Sequence, residues 1–107
     1  MTTPDGLDPH LQHPTRLTVA AFLSGCAEAE FGAVRDYAGL SDASVSRIAT
    51  ALAAAGYVRV RKGYAGRRPR TWLALTAGGR RALQAHLDGL GALARAARRA
   101  GAVRGKA

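Results

Sequence analysis

Nine arginine and lysine residues, Arg47, Arg59, Arg61, Lys62, Arg67, Arg68, Arg70, Arg80 and Arg81, lie between Ala43 and Leu87, a span without an acidic residue. Like charges gathered this densely repel one another unless a polyanion neutralises them, and a nucleic-acid backbone is the simplest such partner. The formal charge of +9 over 107 residues fits nucleic acid or an anionic membrane surface and argues against a cationic partner. Residues able to do covalent or metal chemistry are scattered instead. His10, His13 and His86 form no i, i+4 pair, and the lone Cys26 allows neither an internal disulfide nor a cysteine-based zinc cluster. No G-x-S-x-G elbow, phosphate-cradling loop or dinucleotide fingerprint occurs. No catalytic residue, metal site or cofactor is therefore expected. Cys26 reads as a small packing residue, with a redox sensor as the alternative.

The basic residues need elements to hold them. Ser41 is a good helix N-cap, with Asp42 suited to the positive end of the same helix. Val45, Ile48, Ala49 and Leu52 then recur at spacings of three and four, which gives one apolar face. The opposite face carries Ala43, Ser46, Arg47 and Thr50, with Ser44 on its flank: small, polar, and with one long donor. A helix that enters a groove of DNA needs so slim a face, because bulky side chains hold the backbone off the bases. Gly56 stops this helix. Tyr57 to Lys62 alternates apolar and basic residues at the strand period, Gly63 to Pro69 reads as a turn, and Arg70 to Leu75 as a returning strand. Helix followed by basic hairpin is a winged-helix layout, in which the helix lies in the major groove and the hairpin follows the backbone. Trp72 reads as a half-buried strand aromatic.

Several short segments strengthen this reading by their order: Leu7-Asp8-Pro9, His13-Pro14-Thr15-Arg16-Leu17, Phe31 with Val34, and Leu40-Ser41-Asp42 with Val45-Ser46. Ala55-Gly56-Tyr57-Val58, Gly66-Arg67-Arg68-Pro69-Arg70-Thr71 and Leu75-Thr76 with Gly79-Arg80 complete the set. From Leu7 to Leu87 the chain resembles the small stand-alone winged-helix transcriptional regulators related to the MarR-like and ArsR-like families. Members often carry an asparagine where this chain has Ser44, histidine and leucine at Ile48-Ala49, and a lysine near Thr50. The resemblance implies bacterial DNA-binding regulators and supports DNA binding more strongly than any one base contact.

The remaining elements follow from local signals. Met1 to Gly6 is polar and is expected to be disordered. Asp8-Pro9 can open a helical turn through Leu11. A first long helix runs from Pro14 to about Ser24 and is apolar around much of its girth, through Leu17, Val19, Ala20, Ala21, Phe22 and Leu23. Ala27 to Glu30 can form a brief strand, and Phe31 to Tyr37 the short helix that completes a helix-turn-helix. Thr76 can cap a last helix over about residues 77–97, on which Leu83, Leu87, Leu90, Ala94 and Ala97 form a stripe. More apolar surface than one small domain can cover, on first and last helices alike, points to a homodimer through Leu17, Phe22, Leu83, Leu87, Leu90 and Ala94. The expected division is 1–6 disordered, 7–97 the winged-helix domain, and 98–107 a basic flexible tail.

The fold expected is thus mainly α with a small β-hairpin wing, a winged helix-turn-helix whose first and last helices form the dimer interface. The DNA-binding residues expected are Ser41, Ala43, Ser44, Ser46, Arg47 and Thr50 on the recognition helix, and Arg61, Lys62, Arg67, Arg68, Arg70 and Thr71 on the wing. Double-stranded DNA is the expected partner. Neither a secretory signal nor a membrane-spanning run is present, so a cytoplasmic protein, nucleoid-associated when bound to DNA, is expected. A homodimeric regulator acting as a repressor on a palindromic or pseudopalindromic operator is the leading function expected. A regulator of the same build that responds to a small-molecule effector, and a non-specific basic module, are the alternatives.

Overall fold

Capping residues set where each helix begins. In the computed structural model, which describes residues 5–106, Asp8 caps a 3-10 turn over Pro9–Leu11, its Oδ1 accepting the His10 N–H at 2.9 Å. Pro14 then opens α1, Pro14–Ser24, where its fixed φ suits the helix and its missing N–H costs nothing. A two-residue strand, β1 (Ala29–Glu30), leads into α2, Phe31–Ala38. Ser41 caps α3, Asp42–Ala54, by accepting the Ser44 N–H at 3.1 Å. The hairpin consists of β2, Val58–Ala65, and β3, Arg68–Leu75. Thr76 caps α4, Ala77–Arg104, by accepting the Gly79 N–H at 2.9 Å. Four helices and a three-stranded antiparallel sheet of order β1-β3-β2 result.

The core lies where the helices meet the base of the hairpin. Val19, Ala20 and Leu23 from α1 meet Val34 from α2, and Val45, Ile48, Ala49 and Leu52 from α3. Val58, Leu73 and Leu75 close it from the sheet, Leu83 from α4, and Leu11 from the N-terminal turn. Each large side chain so buried stabilises the fold by about 1.5–3 kcal/mol. The buried face of α3 is the one its spacing predicts. Opposite it, Ala43, Ser46, Arg47 and Thr50 remain exposed.

Three expectations need correction. The hairpin turn is not Gly63 to Pro69: pairing continues through Gly63↔Arg70, Tyr64↔Pro69 and Ala65↔Arg68, leaving only Gly66 and Arg67 between the strands. Gly66 has φ +64, which supplies the left-handed first position that a two-residue turn needs to match the twist of its strands. Pro69 fits because β1 pairs β3 only at Leu73 and Trp72, so beside Pro69 the strand has a free edge.

The last helix does not end near residue 97; it continues through Arg104, into the stretch expected to be a flexible tail. Large apolar groups are scarce there, but alanine and arginine are strong helix formers on their own. At the other end, Asp5 and Gly6 are not free. They lie across α4, and a Cβ added at Gly89 would come within 2.9 Å of the Asp5 carbonyl oxygen and 3.2 Å of the Gly6 carbonyl carbon. Gly89 is the notch in α4 that admits this segment. Residues 1–4 and 107 of the expected termini lie outside the described residues.

Candidate nucleic-acid interface

Regular alternation along a strand sends successive side chains to opposite sheet faces, so the hairpin register sorts the basic residues. Val58, Val60, Lys62 and Tyr64 share one face with their partners Leu75, Leu73, Thr71 and Pro69. The inner half of that face enters the core, and its outer half looks along the outward side of α3. A cavity of about 250 Å³ between the two is lined by Ser46, Thr50, Lys62 and Thr71, with Val60 and Phe31 beneath. A wider groove of about 610 Å³ continues past Ala43, Ser46, Pro69 and Thr71 toward the start of α2. Six of the expected DNA-binding residues, Ala43, Ser46, Thr50, Lys62, Arg70 and Thr71, thus line one continuous concavity, with the acidic Glu30 and Asp42 at its α2 end. Arg67 stands at the apex of the turn, with Arg68 beside it, both exposed.

The second sheet face is different. Arg61 faces Trp72 across the strands, and its guanidinium carbon sits 4.1 Å from the ring centroid. It donates two hydrogen bonds to Glu28, at 2.6 and 3.2 Å. The Arg61 bond holds the Glu28 carboxyl below the usual carboxylate range, and the same bond raises the Arg61 pKa. Arg70 lies on this face too, 3.8 Å from the Glu30 carboxylate. Arg61 and Arg70, both expected on the wing's DNA contact, are therefore engaged by acidic residues of the strand segment before α2. A phosphate meets carboxylates here as well as guanidiniums.

On α3 the hydroxyls divide between structure and surface. Ser41 both caps the helix and donates from its Oγ to Ser44 Oγ at 3.0 Å. Arg47 reaches back from Nη2 to Ser44 Oγ at 3.2 Å, which leaves the rest of its donor fork toward solvent. Thr50 donates to the Ser46 carbonyl at 2.9 Å, which engages its hydroxyl proton while the residue stays exposed. Arg47 also borders a cleft of about 420 Å³ shared with His13, Arg16 and Ser44 at the start of α1.

Three structural roles were not visible in the sequence. Arg35 joins α2 to α3 through Asp42 at 2.9 Å and pairs with its α2 neighbour Asp36 at 3.0 Å; these bonds, to Asp42 first, raise its pKa. Arg80, counted in the basic span, instead caps the end of α1, donating to the Ser24 and Cys26 carbonyls at 3.0 and 2.9 Å. His86 is buried and accepts the Asp8 N–H at Nδ1, 3.0 Å away. Asp8 also accepts a hydrogen bond from the Tyr57 hydroxyl, and this bond, with burial second, pushes the phenol up to about 12. Only a three-dimensional neighbour makes any of these roles readable.

The residues expected at a dimer interface separate in the same way. Leu83 is buried within the chain's own core, so it has little surface left for a partner. Phe22 is half-buried and stacks on Tyr37 with centroids 4.6 Å apart, and Leu17 is packed beside the core. Leu87, Leu90 and Ala94 are exposed, joined by Leu93, which was not among the residues expected.

A model described as a winged helix DNA-binding domain matches residues 15–94. None of the curated proteins is similar to the chain. Among solved structures, a transcriptional regulator homologue from Pyrococcus horikoshii OT3 superposes with a TM-score of 0.76 at 26% identity, over 81% of this chain and 86% of that one. PcaV, a transcriptional regulator from Streptomyces coelicolor in complex with its natural ligand, gives 0.69 at 18% identity, over 84% of this chain and 62% of its own. A MarR-family transcriptional regulator from Silicibacter pomeroyi gives 0.60 at 22%, over 75% of this chain and 53% of its own. The chain thus spans most of the first structure and little more than half of the others.

Proposed function

The chain belongs to the winged helix DNA-binding domain family, and from that premise we propose that it is a homodimeric transcriptional regulator that reads a palindromic DNA site. The observation that carries the reading is the concavity between α3 and the wing, where Ala43, Ser46, Thr50, Lys62 and Thr71 converge and whose inner part has no acidic side chain in its lining. In this reading α3 enters the major groove, Arg47 reads a guanine edge through its O6 and N7, and Arg67 and Arg68 follow the backbone at the wing tip. Two copies associate through Leu87, Leu90, Leu93 and Ala94 on α4, which a single chain leaves exposed. Repression follows where the bound dimer occludes a promoter; no catalytic step is involved.

Selection of binding sites from a random duplex pool at near-physiological salt tests this. A recovered motif with two-fold symmetry is the expected result. Recovery of no motif, with uniform affinity for bulk DNA, would instead make the protein a non-specific basic module.

One observation favours an added effector. The cleft beside α1 shares Ser44 and Arg47 with the DNA-facing helix and adds His13 and Arg16, a donor-rich lining suited to a small organic anion. PcaV is described in complex with its natural ligand. A ligand held in this cleft competes directly for the Arg47 donors.

A further inference from the structure

We propose that Tyr64 is a DNA-contact residue, its ring packed on a deoxyribose of the strand whose phosphates Lys62 and Arg67 hold. The inference rests on the DNA-binding reading and names a contact that charge alone does not reveal. Tyr64 is 72% exposed, one residue short of the turn, and lies on the sheet face that continues from the α3 concavity. Its cross-strand partner is Pro69, and together with Lys62 and Thr71 they border a shallow cavity of about 350 Å³. Among the described residues its hydroxyl has no hydrogen-bond partner, whereas the exposed Tyr37 stacks on Phe22.

Position and chemistry select the ligand. The carboxylates of Glu28 and Glu30 lie on the other sheet face, bound to Arg61 and near Arg70. Glu30 also lines the α2 end of the groove beside α3, but the cavity that Tyr64 borders has no acidic residue in its lining. Lys62 and Tyr64 are two residues apart on that face, about 7 Å at the rise of a strand, which is close to the axial rise of two nucleotides of one DNA strand. A lysine on a phosphate therefore brings the ring to a neighbouring sugar. Deoxyribose is the apolar part of that backbone, and an amphipathic aromatic with a polar tip suits a surface that is apolar beside charge.

The test uses the full chain and a fluorescent mixed-sequence duplex, with Tyr64→Ala, Tyr64→Phe and Arg67→Ala compared by anisotropy across a salt series. Tyr64→Ala is expected to weaken binding about tenfold with no change in the slope of log affinity against log salt, because no charge is removed. Tyr64→Phe is expected to stay within about twofold of wild type, because the ring is retained. Arg67→Ala should lower both the affinity and the slope. Hydroxyl-radical footprinting, which attacks exposed sugars, should show protection beside the wing that Tyr64→Ala removes. Wild-type affinity in Tyr64→Ala overturns the proposal. So does a fall in salt slope with that variant, retained sugar protection, or an equal loss in Tyr64→Phe. Failure of wild type and all three variants to bind duplex sinks the underlying DNA-binding reading as well.

Discussion

Arg47, Arg61 and Arg67 carry one charge each, yet their surroundings assign them different work. Arg47 stands on the outward face of α3 with a single tether to Ser44. Arg47→Ala is expected to cost about 1–3 kcal/mol on the preferred site and much less on random DNA, relaxing one base position. Arg67 stands at an open turn, so Arg67→Ala should weaken specific and bulk binding alike and lower the salt slope by about one unit. Arg61 is stacked on Trp72 and bonded to Glu28, and Arg61→Ala should leave the salt slope unchanged. One salt titration on two duplexes measures all three, and parallel losses for Arg47→Ala and Arg67→Ala would remove the distinction between reading and positioning. The positions of these charges were legible in the sequence; their partners were not. Glu28 lies 33 residues from Arg61 in the chain, and no local pattern joins them.

At the scale of elements, the periodicities were reliable and the ends were not. Val45, Ile48, Ala49 and Leu52 face the core as their spacing requires, and the caps at Ser41 and Thr76 act as their side chains suggest. The wing turn was overestimated because glycine and proline were read as breakers, whereas pairing with a free edge tolerates both. The stripe on α4 was visible, but its division was not: Leu83 belongs to the core, while Leu87, Leu90 and Leu93 stay 44%, 37% and 44% exposed. Exposed leucines on one helix favour association with a matching stripe. Leu87→Glu with Leu90→Glu is expected to abolish dimers in sedimentation experiments and to weaken operator binding, with helix content in circular dichroism nearly unchanged. A monomeric wild type at micromolar concentration would defeat the dimer reading.

Across the whole molecule, the long axis of 63 Å against 25 and 23 Å reflects α4, whose 28 residues span about 42 Å at the helical rise. What ties this helix to the winged core is polar as well as apolar. Asp8 meets His86 through its main chain and Tyr57 through its carboxylate, so N-terminal turn, hairpin base and α4 share one network. The phenol of Tyr57 is pushed from 10.0 to about 12, which gives the network a pH signature. A pKa raised in the folded state means stability is fully present below pH 10 and declines as pH rises from 10 toward 12. The decline should amount to about 1 kcal/mol after allowance for solvent screening. Tyr57→Phe should be less stable near neutrality and lack this component of the alkaline decline; parallel stability curves from urea unfolding would contradict it. The sequence showed Asp8 as a cap and Tyr57 as a strand start, but not that they meet 49 residues apart.

The two-residue turn of the wing also constrains how such a hairpin can change over evolutionary time. With Gly66 and Arg67 fixed at the apex, inserting one residue into each strand near the base would carry Lys62 and Tyr64 to the side of Glu28 and bring the opposite set round to face α3. Only insertion in pairs restores the sides, and each such step lengthens the wing by about 7 Å. Reach is therefore quantised: relatives that explore longer or shorter wings must move by whole pleats, and intermediates pass through a form whose charges point the wrong way.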